Sequence, residues 1–290
     1  MKIGIYPNLG KEMFFSFYPQ MISWLKEQHI EYYLPVFRRK ELERRGFILS
    51  DTQYKTVEWM GNHADVILSV GGDGSFLEAA REFADYKIML CGVHLGELGF
   101  LNSITPADFE KKMELLLQGR YSLESRRYAS AAIKKKNGAV LKLPTALNDI
   151  VIGRNKIGKM TRINMAVNHH HMLRYSADGI VISTATGSTS YSLSCGGPIL
   201  SPTSKSIIVV PVCAHMIHGF PLVLSDTDII QVTLPEREDK LFVSADGKGS
   251  YELLKDDTLT VEGMDKPIRF IRFEGQDFWS TIHSKLLRKL

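Results

Sequence analysis

At 290 residues, 44% of them hydrophobic, the chain is long enough for two ordinary domains and too apolar to be disordered. Its 36 basic and 32 acidic residues leave a formal net charge of +4 without a long run of one sign, which suits small anionic ligands and argues only weakly for nucleic acid. Cys91, Cys195 and Cys213 are odd in number and lack a C-x-x-C spacing, so neither a disulfide framework nor a zinc knuckle is indicated; no stretch has the length of a membrane span or signal peptide, and a cytoplasmic setting is expected.

In chain order, residues 2–6 and 30–34 read as strands around a helical segment near 13–29, and 66–70 and 88–93 as two more strands. The alternation predicts a Rossmann-like parallel sheet flanked by helices, with ligands at the carboxyl ends of its strands. At one such end stands Gly71-Gly72-Asp73-Gly74-Ser75, followed by apolar positions 76, 77, 80, 83 and 84 at helical spacing. A buried strand that breaks into glycines and restarts as a helix sets bare amides at a positive helix end, an anion cradle. A carboxylate there repels phosphate unless a cation or a reacting hydroxyl lies between them, so Asp73 points to phosphoryl transfer, the plainer alternative being a tight strand–helix turn capped by Asp73 and Ser75. Thr105-Pro106-Ala107-Asp108 then opens a helix with apolar face Phe109, Met113, Leu116 and Leu117, and Gly119 ends it.

From about residue 122 closely spaced β-type runs replace the alternation, from 130–135 through 147–152, 179–184 and 207–213 to 268–273, predicting a layered, antiparallel all-β sandwich. The expected division is an α/β domain over 1–121, with 276–290 packing back on it through Phe278, Ile282 and Leu286, and a β-rich domain over 122–275, with a cleft between. Arg126-Arg127 and Lys134-Lys135-Lys136 read as a solvated face or hairpin turn, and His169-His170-His171 as a hairpin turn rather than a metal site. His94 lies nearer the expected cleft, while His215 and His218 lack a third ligand and read as structural.

A second unusual run follows Asp178. The strand 180–183 empties into Thr184-Ala185-Thr186-Gly187-Ser188-Thr189-Ser190-Tyr191, hydroxyl-rich and able to bond a nucleoside's sugar and base edges, or simply to cap a short helix. Asn148-Asp149 adds an amide and a carboxylate at the start of a strand, where an Asx turn is the simpler reading.

Taken together, Gly71-Gly72-Asp73-Gly74-Ser75, the stretch from Gly92 to Leu101, Asn148-Asp149, the run 178–198, the stretch from Pro211 to Leu224, and Asp246-Gly247 resemble the ordered motifs of NAD kinases. The resemblance implies transfer of a phosphoryl group from ATP, or another donor such as polyphosphate, to the adenosine-ribose 2′-hydroxyl of NAD, with a divalent cation, usually magnesium. It makes Asp73 the catalytic residue, as base or through the metal, and Gly71, Gly72, Gly74 and Ser75 the holders of the donor phosphate. Gly74, Asn148, Asp149, Thr186, Thr189, Ser190 and Tyr191 become NAD contacts, and Asp178 reaches the nicotinamide end, often across a subunit contact. A homodimer or homotetramer is expected. Ser75, Glu97, Ala185, Phe220 and Lys248 depart from the usual pattern. The competing expectations are a non-catalytic NAD(P) sensor and a phosphofructokinase-like sugar kinase, the latter requiring strand–helix alternation in the second half.

Overall fold

Parallel strands need a long crossover between them, so short apolar runs separated by amphipathic helices fold as a helix-covered sheet. The computed structural model describes residues 1–96, 99–154, 160–214, 219–236 and 240–287, without the side chains of residues 171, 172 and 287. The chain forms two units, 1–125 with 268–290, and 126–267.

In the first unit the elements are β1 (Lys2–Pro7), α1 (Glu12–Glu27), β2 (Glu31–Pro35), α2 (Arg39–Arg44), β3 (Tyr54–Lys55), α3 (Val57–His63), β4 (Val66–Gly71), α4 (Asp73–Glu82), β5 (Met89–His94), α5 (Phe109–Leu117) and β6 (Ser122–Arg126). The chain returns to this unit with β19 (Ile268–Arg272) and α7 (Phe278–Ile282). The sheet runs β3-β2-β1-β4-β5-β19-β6, with β1 to β5 and β19 paired in parallel. The winding goes outward from β1 to β3, then resumes at β4 on the other side of β1, so the order reverses between β1 and β4. Such a reversal opens a crevice at the carboxyl ends, here after Pro7 and Gly71. Every residue of β4 is buried, and Ile3, Ile5, Val66, Leu68 and Val70 share a core with Phe14, Met21 and Leu25 of α1.

The second unit holds β7 (Ala129–Lys134), β8 (Val140–Lys142), β9 (Asp149–Gly153), β10 (Thr161–Val167), β11 (His170–Ala177), β12 (Gly179–Thr184), α6 (Tyr191–Ser194), β13 (Ser206–Val212), β14 (Leu222–Ser225), β15 (Ile230–Thr233), β16 (Lys240–Ala245), β17 (Lys248–Leu254) and β18 (Thr258–Gly263). They form two six-stranded sheets, β11-β10-β15-β18-β7-β8 and β14-β13-β12-β9-β16-β17. Residues from both, among them Ile133, Ile163, Val232 and Leu259 of one and Ile150, Ile180, Val209 and Val243 of the other, make one core. The strand–helix alternation that a sugar kinase of the phosphofructokinase type requires is absent among the described residues of this half.

Two-residue hairpins with left-handed backbone, Asn168-His169 and Asp246-Gly247, join β10 to β11 and β16 to β17, as the matching twist of such turns favours. The first holds only His169 of the histidine tract, whose other two residues open β11, and Lys135 and Lys136 sit in another turn, paired with Asp257 and Asp256.

Several details differ from the sequence reading. Strands β6 and β19, read above with the β-rich segment, pair in the first unit's sheet, because an apolar pattern states which face is buried and not against which sheet. Arg126 is only 3% exposed, and Arg127 pairs with the buried Asp226 at 3.0 Å, so this basic pair is no solvated face. Leu117 falls on the exposed side of α5, and at the C-terminal end Phe278 and Ile282 are half-buried while Leu286 is exposed. No helix among the described residues is long and apolar enough to cross a membrane.

Candidate active site

The Gly-rich turn is positioned by the end of β4 and the start of α4. The Gly72 N–H and the Asn8 side-chain amide both donate to Ser75 Oγ, at 3.3 and 2.7 Å, and the Leu95 N–H donates to the Gly71 carbonyl at 2.6 Å. Ser75 is buried, so its hydroxyl shapes the turn from inside. Gly74 is exposed. The first-turn amides of α4 have no acceptor within the helix, which leaves the turn suited to an anion.

Asp73 begins α4, and its carboxylate is fixed by the loop after β5. The Phe100 N–H donates to Oδ2 at 2.9 Å, the Leu101 N–H to Oδ1 at 3.4 Å, and the Asn102 side-chain amide to Oδ1 at 2.6 Å. A carboxylate has about four lone-pair directions, so one remains on Oδ2 for a hydroxyl proton or a cation. Gly99 makes the approach possible: a Cβ on it would collide with all three carboxyl atoms of Asp73.

From the end of β1, Lys11 reaches over to donate to the Leu95 carbonyl at 3.1 Å, and its ammonium stands 3.3 Å from the point a Cβ on Gly72 would occupy. The His94 ring lies beside the same glycine, and its pKa is lowered by burial, with Lys11 pushing the same way.

In the second unit the structure brings Asn148, Asp149, Thr186, Thr189, Ser190 and Tyr191 to one end of the β9–β12 pair. Register pairs Asp149 with Ser183 and Gly153 with Gly179. The Asn148 side chain donates to Ser190 Oγ at 3.4 Å, while its carbonyl accepts from the Thr184 N–H and the Ser183 hydroxyl at 2.8 and 3.0 Å. Gly187 packs so tightly on that carbonyl that a Cβ has no room. The hydroxyls divide into two groups. Those of Ser183, Thr184 and Ser188 are spent on backbone carbonyls of Asn148, Leu147 and Leu200, and Thr186 accepts from Arg126 at 3.3 Å. Thr189 and Ser190 are partly exposed and Tyr191 is 42% exposed; the Tyr191 pKa is raised by burial.

Asp246, in its left-handed turn, accepts from three successive amides: Leu147 to Oδ2 at 2.8 Å, Asn148 to Oδ1 at 2.8 Å and Asp149 to Oδ1 at 3.1 Å. Burial, then the negative charge of Asp246, pushes the Asp149 carboxyl up to about 7. Asp178 does not join this group: it is exposed at the opposite end of β12, roughly 17 Å away at the usual rise per residue.

The comparisons with known proteins agree with the geometry. Family models described as the ATP-NAD kinase N-terminal and C-terminal domains match residues 4–121 and 147–273. The NAD kinase of Caldanaerobacter subterraneus subsp. tengcongensis is 31% identical over 290 residues, 99% of either chain. The chain belongs to the ATP-NAD kinase family. Yeast NADH kinase, solved with NADH, superposes with a TM-score of 0.84 at 22% identity, over 99% of this chain and 87% of its own. An NAD kinase from Archaeoglobus fulgidus, solved with ATP, does so at 0.75 and 23% identity over the whole of both chains.

Within this family fold, sequence reasoning missed Asn8, Lys11, Asn102 and the structural part played by Asp246. Asn8 and Lys11 follow the carboxyl end of β1, and the rule that selected Asp73 after β4 selects them too. Asn102 carries no comparable signal, and Asp246-Gly247, though part of the family resemblance, gives no hint of the amides it accepts from, since only folding brings either residue to its partners. Glu97, His215 and His218 lie outside the described residues, as does the His171 side chain. No group of three or more potential metal-ligating side chains occurs among the described residues.

Proposed function

We propose that the protein transfers the terminal phosphoryl group of ATP to the 2′-hydroxyl of the adenosine ribose of NAD, producing NADP. The observation that carries this reading is the Asp73 carboxylate, fixed by three donors yet with a lone pair left on Oδ2, at the positive end of α4 and beside the crevice where the strand order reverses. A ribose hydroxyl is a poor nucleophile, and phosphoryl transfer depends on positioning it and on balancing charge at the phosphate. Asp73 takes or orients the hydroxyl proton. The first-turn amides of α4, at Asp73, Gly74 and Ser75, face the donor phosphate, with Lys11 supplying positive charge.

The donor set suits a cation carried in by the nucleotide rather than one caged by protein, because magnesium takes one or two carboxylates and fills its shell with phosphate oxygens and water. Asp73 is the residue that would hold it, its one free lone pair then meeting the ion in place of the hydroxyl proton. When bound, the ion neutralises charge developing on the transferred phosphate. Asn148 and Asp149 grip the sugar hydroxyls and adenine, and an Asp149 that titrates near 7 can donate as well as accept. Thr189, Ser190 and Tyr191 line the adenine end with Thr186 behind them. The position of Asp178 supports a contact with the nicotinamide end from a second copy of the chain, in a homodimer or homotetramer. The setting we assign is the cytoplasm.

Incubation with NAD, ATP and magnesium, read through an NADP-specific dehydrogenase, tests the reading. NADP formation is expected, and Asp73→Asn should lose turnover by about a hundredfold or more while NAD binding by calorimetry persists. NAD binding without NADP formation identifies a sensor instead, and near-normal turnover in Asp73→Asn removes the assignment of that residue.

A further inference from the structure

The loop that fixes Asp73 is itself held from behind by one side chain. Phe100 and Leu101 present backbone N–H groups to the Asp73 carboxylate, Asn102 adds its side-chain amide, and the carbonyls of Phe100 and Leu101 turn the other way, onto Arg272 at the end of β19. Arg272 donates from one terminal nitrogen to the Leu101 carbonyl at 2.8 Å and to Ser103 Oγ at 2.9 Å, and from the other to the Phe100 carbonyl at 3.3 Å. Its Nε donates to Glu124 on β6 at 3.0 Å, and the arginine side chain is only 11% exposed. The Ser103 hydroxyl passes a bond to the Ile271 carbonyl at 2.8 Å, so the loop is tied to β19 at two successive residues.

We propose that Arg272 is a positioning residue for phosphoryl transfer, acting on Asp73 through the backbone of Phe100 and Leu101. The inference rests on the reading of Asp73 given above. One peptide unit makes the connection explicit: the Phe100 carbonyl accepts from Arg272 while the N–H of the same unit, on Leu101, donates to Asp73. A cation on the carbonyl side polarises the unit so that its N–H donates more strongly, and chained hydrogen bonds reinforce one another in a low-dielectric setting. The planar guanidinium serves three acceptors at fixed angles while its Nε holds Glu124. An ammonium keeps the charge and cannot reproduce that fork.

The test uses the full-length protein with Arg272→Lys, Arg272→Met and Asp73→Asn, measuring kcat and KM for NAD together with NAD binding by calorimetry. A misplacement of the acid by a fraction of an ångström to an ångström predicts kcat lower by about tenfold in Arg272→Lys and about a hundredfold in Arg272→Met, with KM for NAD and NAD affinity within about twofold. Arg272→Lys retains the charge and most of the buried stem and is the variant expected to fold in every case. Added to Asp73→Asn, it should lower the residual turnover no further, because Arg272 acts only through that carboxylate. Unchanged kcat in Arg272→Lys and Arg272→Met overturns the proposal, and so does an equal loss with and without Asp73. If Asp73→Asn itself turns over normally, the reading of Asp73 falls first, and the role of Arg272 falls with it.

Discussion

Gly99 and Asp149 show how closely the chemistry depends on single positions. A methyl group on Gly99 occupies the space of the Asp73 carboxylate, so Gly99→Ala must move either the acid or the loop that fixes it. Turnover should fall by about a hundredfold with a change in melting temperature of only a few degrees; turnover within twofold of the parent would show that the contact tolerates the shift. At Asp149 the effect is on pH dependence. Its folded pKa of about 7 lies above the ordinary 3.8, so the native state keeps a proton there that the unfolded chain has already released. Its stabilising contribution is whole below about pH 4 and is lost as pH rises through 7. Melting curves of the parent and Asp149→Asn should therefore diverge between pH 4 and 8, the parent losing on the order of 4 kcal/mol relative to the variant. Parallel curves would contradict the raised pKa. Asp73 stood out in the sequence by its place at a strand end, whereas Asn148-Asp149 read there as an Asx turn and became a site pair only through the family resemblance. The pairings with their partners were not legible: Asn102 is 29 residues from Asp73, and Asp246, singled out only by the resemblance, is 97 from Asp149.

At the scale of elements, periodicity located the strands and helices that position the Gly-rich turn, and length with glycine content told a buried strand from a buried helix. What it left open was the neighbour of each strand. Ile268–Arg272 carries apolar side chains toward both faces, with Ile268, Phe270 and Ile271 buried, as a strand inside a helix-covered sheet requires. A run of five residues does not name its sheet. The packing that fixes it there is the edge-to-face contact of Phe270 with Phe76 of α4, centroids 4.7 Å apart. Both rings are fully buried. Phe76→Ala should cost about 3–5 kcal/mol of stability by chemical denaturation, because it opens a cavity between the helix that carries Asp73 and the strand that carries Arg272. A cost below about 1 kcal/mol would mean that the contact does not join the two elements.

For the molecule as a whole, the β-rich segment interrupts the chain between two parts of one α/β unit. A protein ended after Pro267 retains the entire Gly-Gly-Asp-Gly-Ser turn but loses β19, the inner strand between β5 and β6, and with it the core contributions of Ile271 and Phe273. It should fail to give a cooperative melting transition for the α/β unit, followed by the environment of Trp24 or Trp59; a normal transition would show that β19 is dispensable. Arg272 lies 171 residues beyond the carbonyl of Leu101 that it holds. During synthesis the ribosome therefore releases the acid long before the side chain that steadies it. An interrupted translation product carries the chemical group in an unfinished setting, and a kinase interrupted there has little capacity to consume its nucleotide substrates.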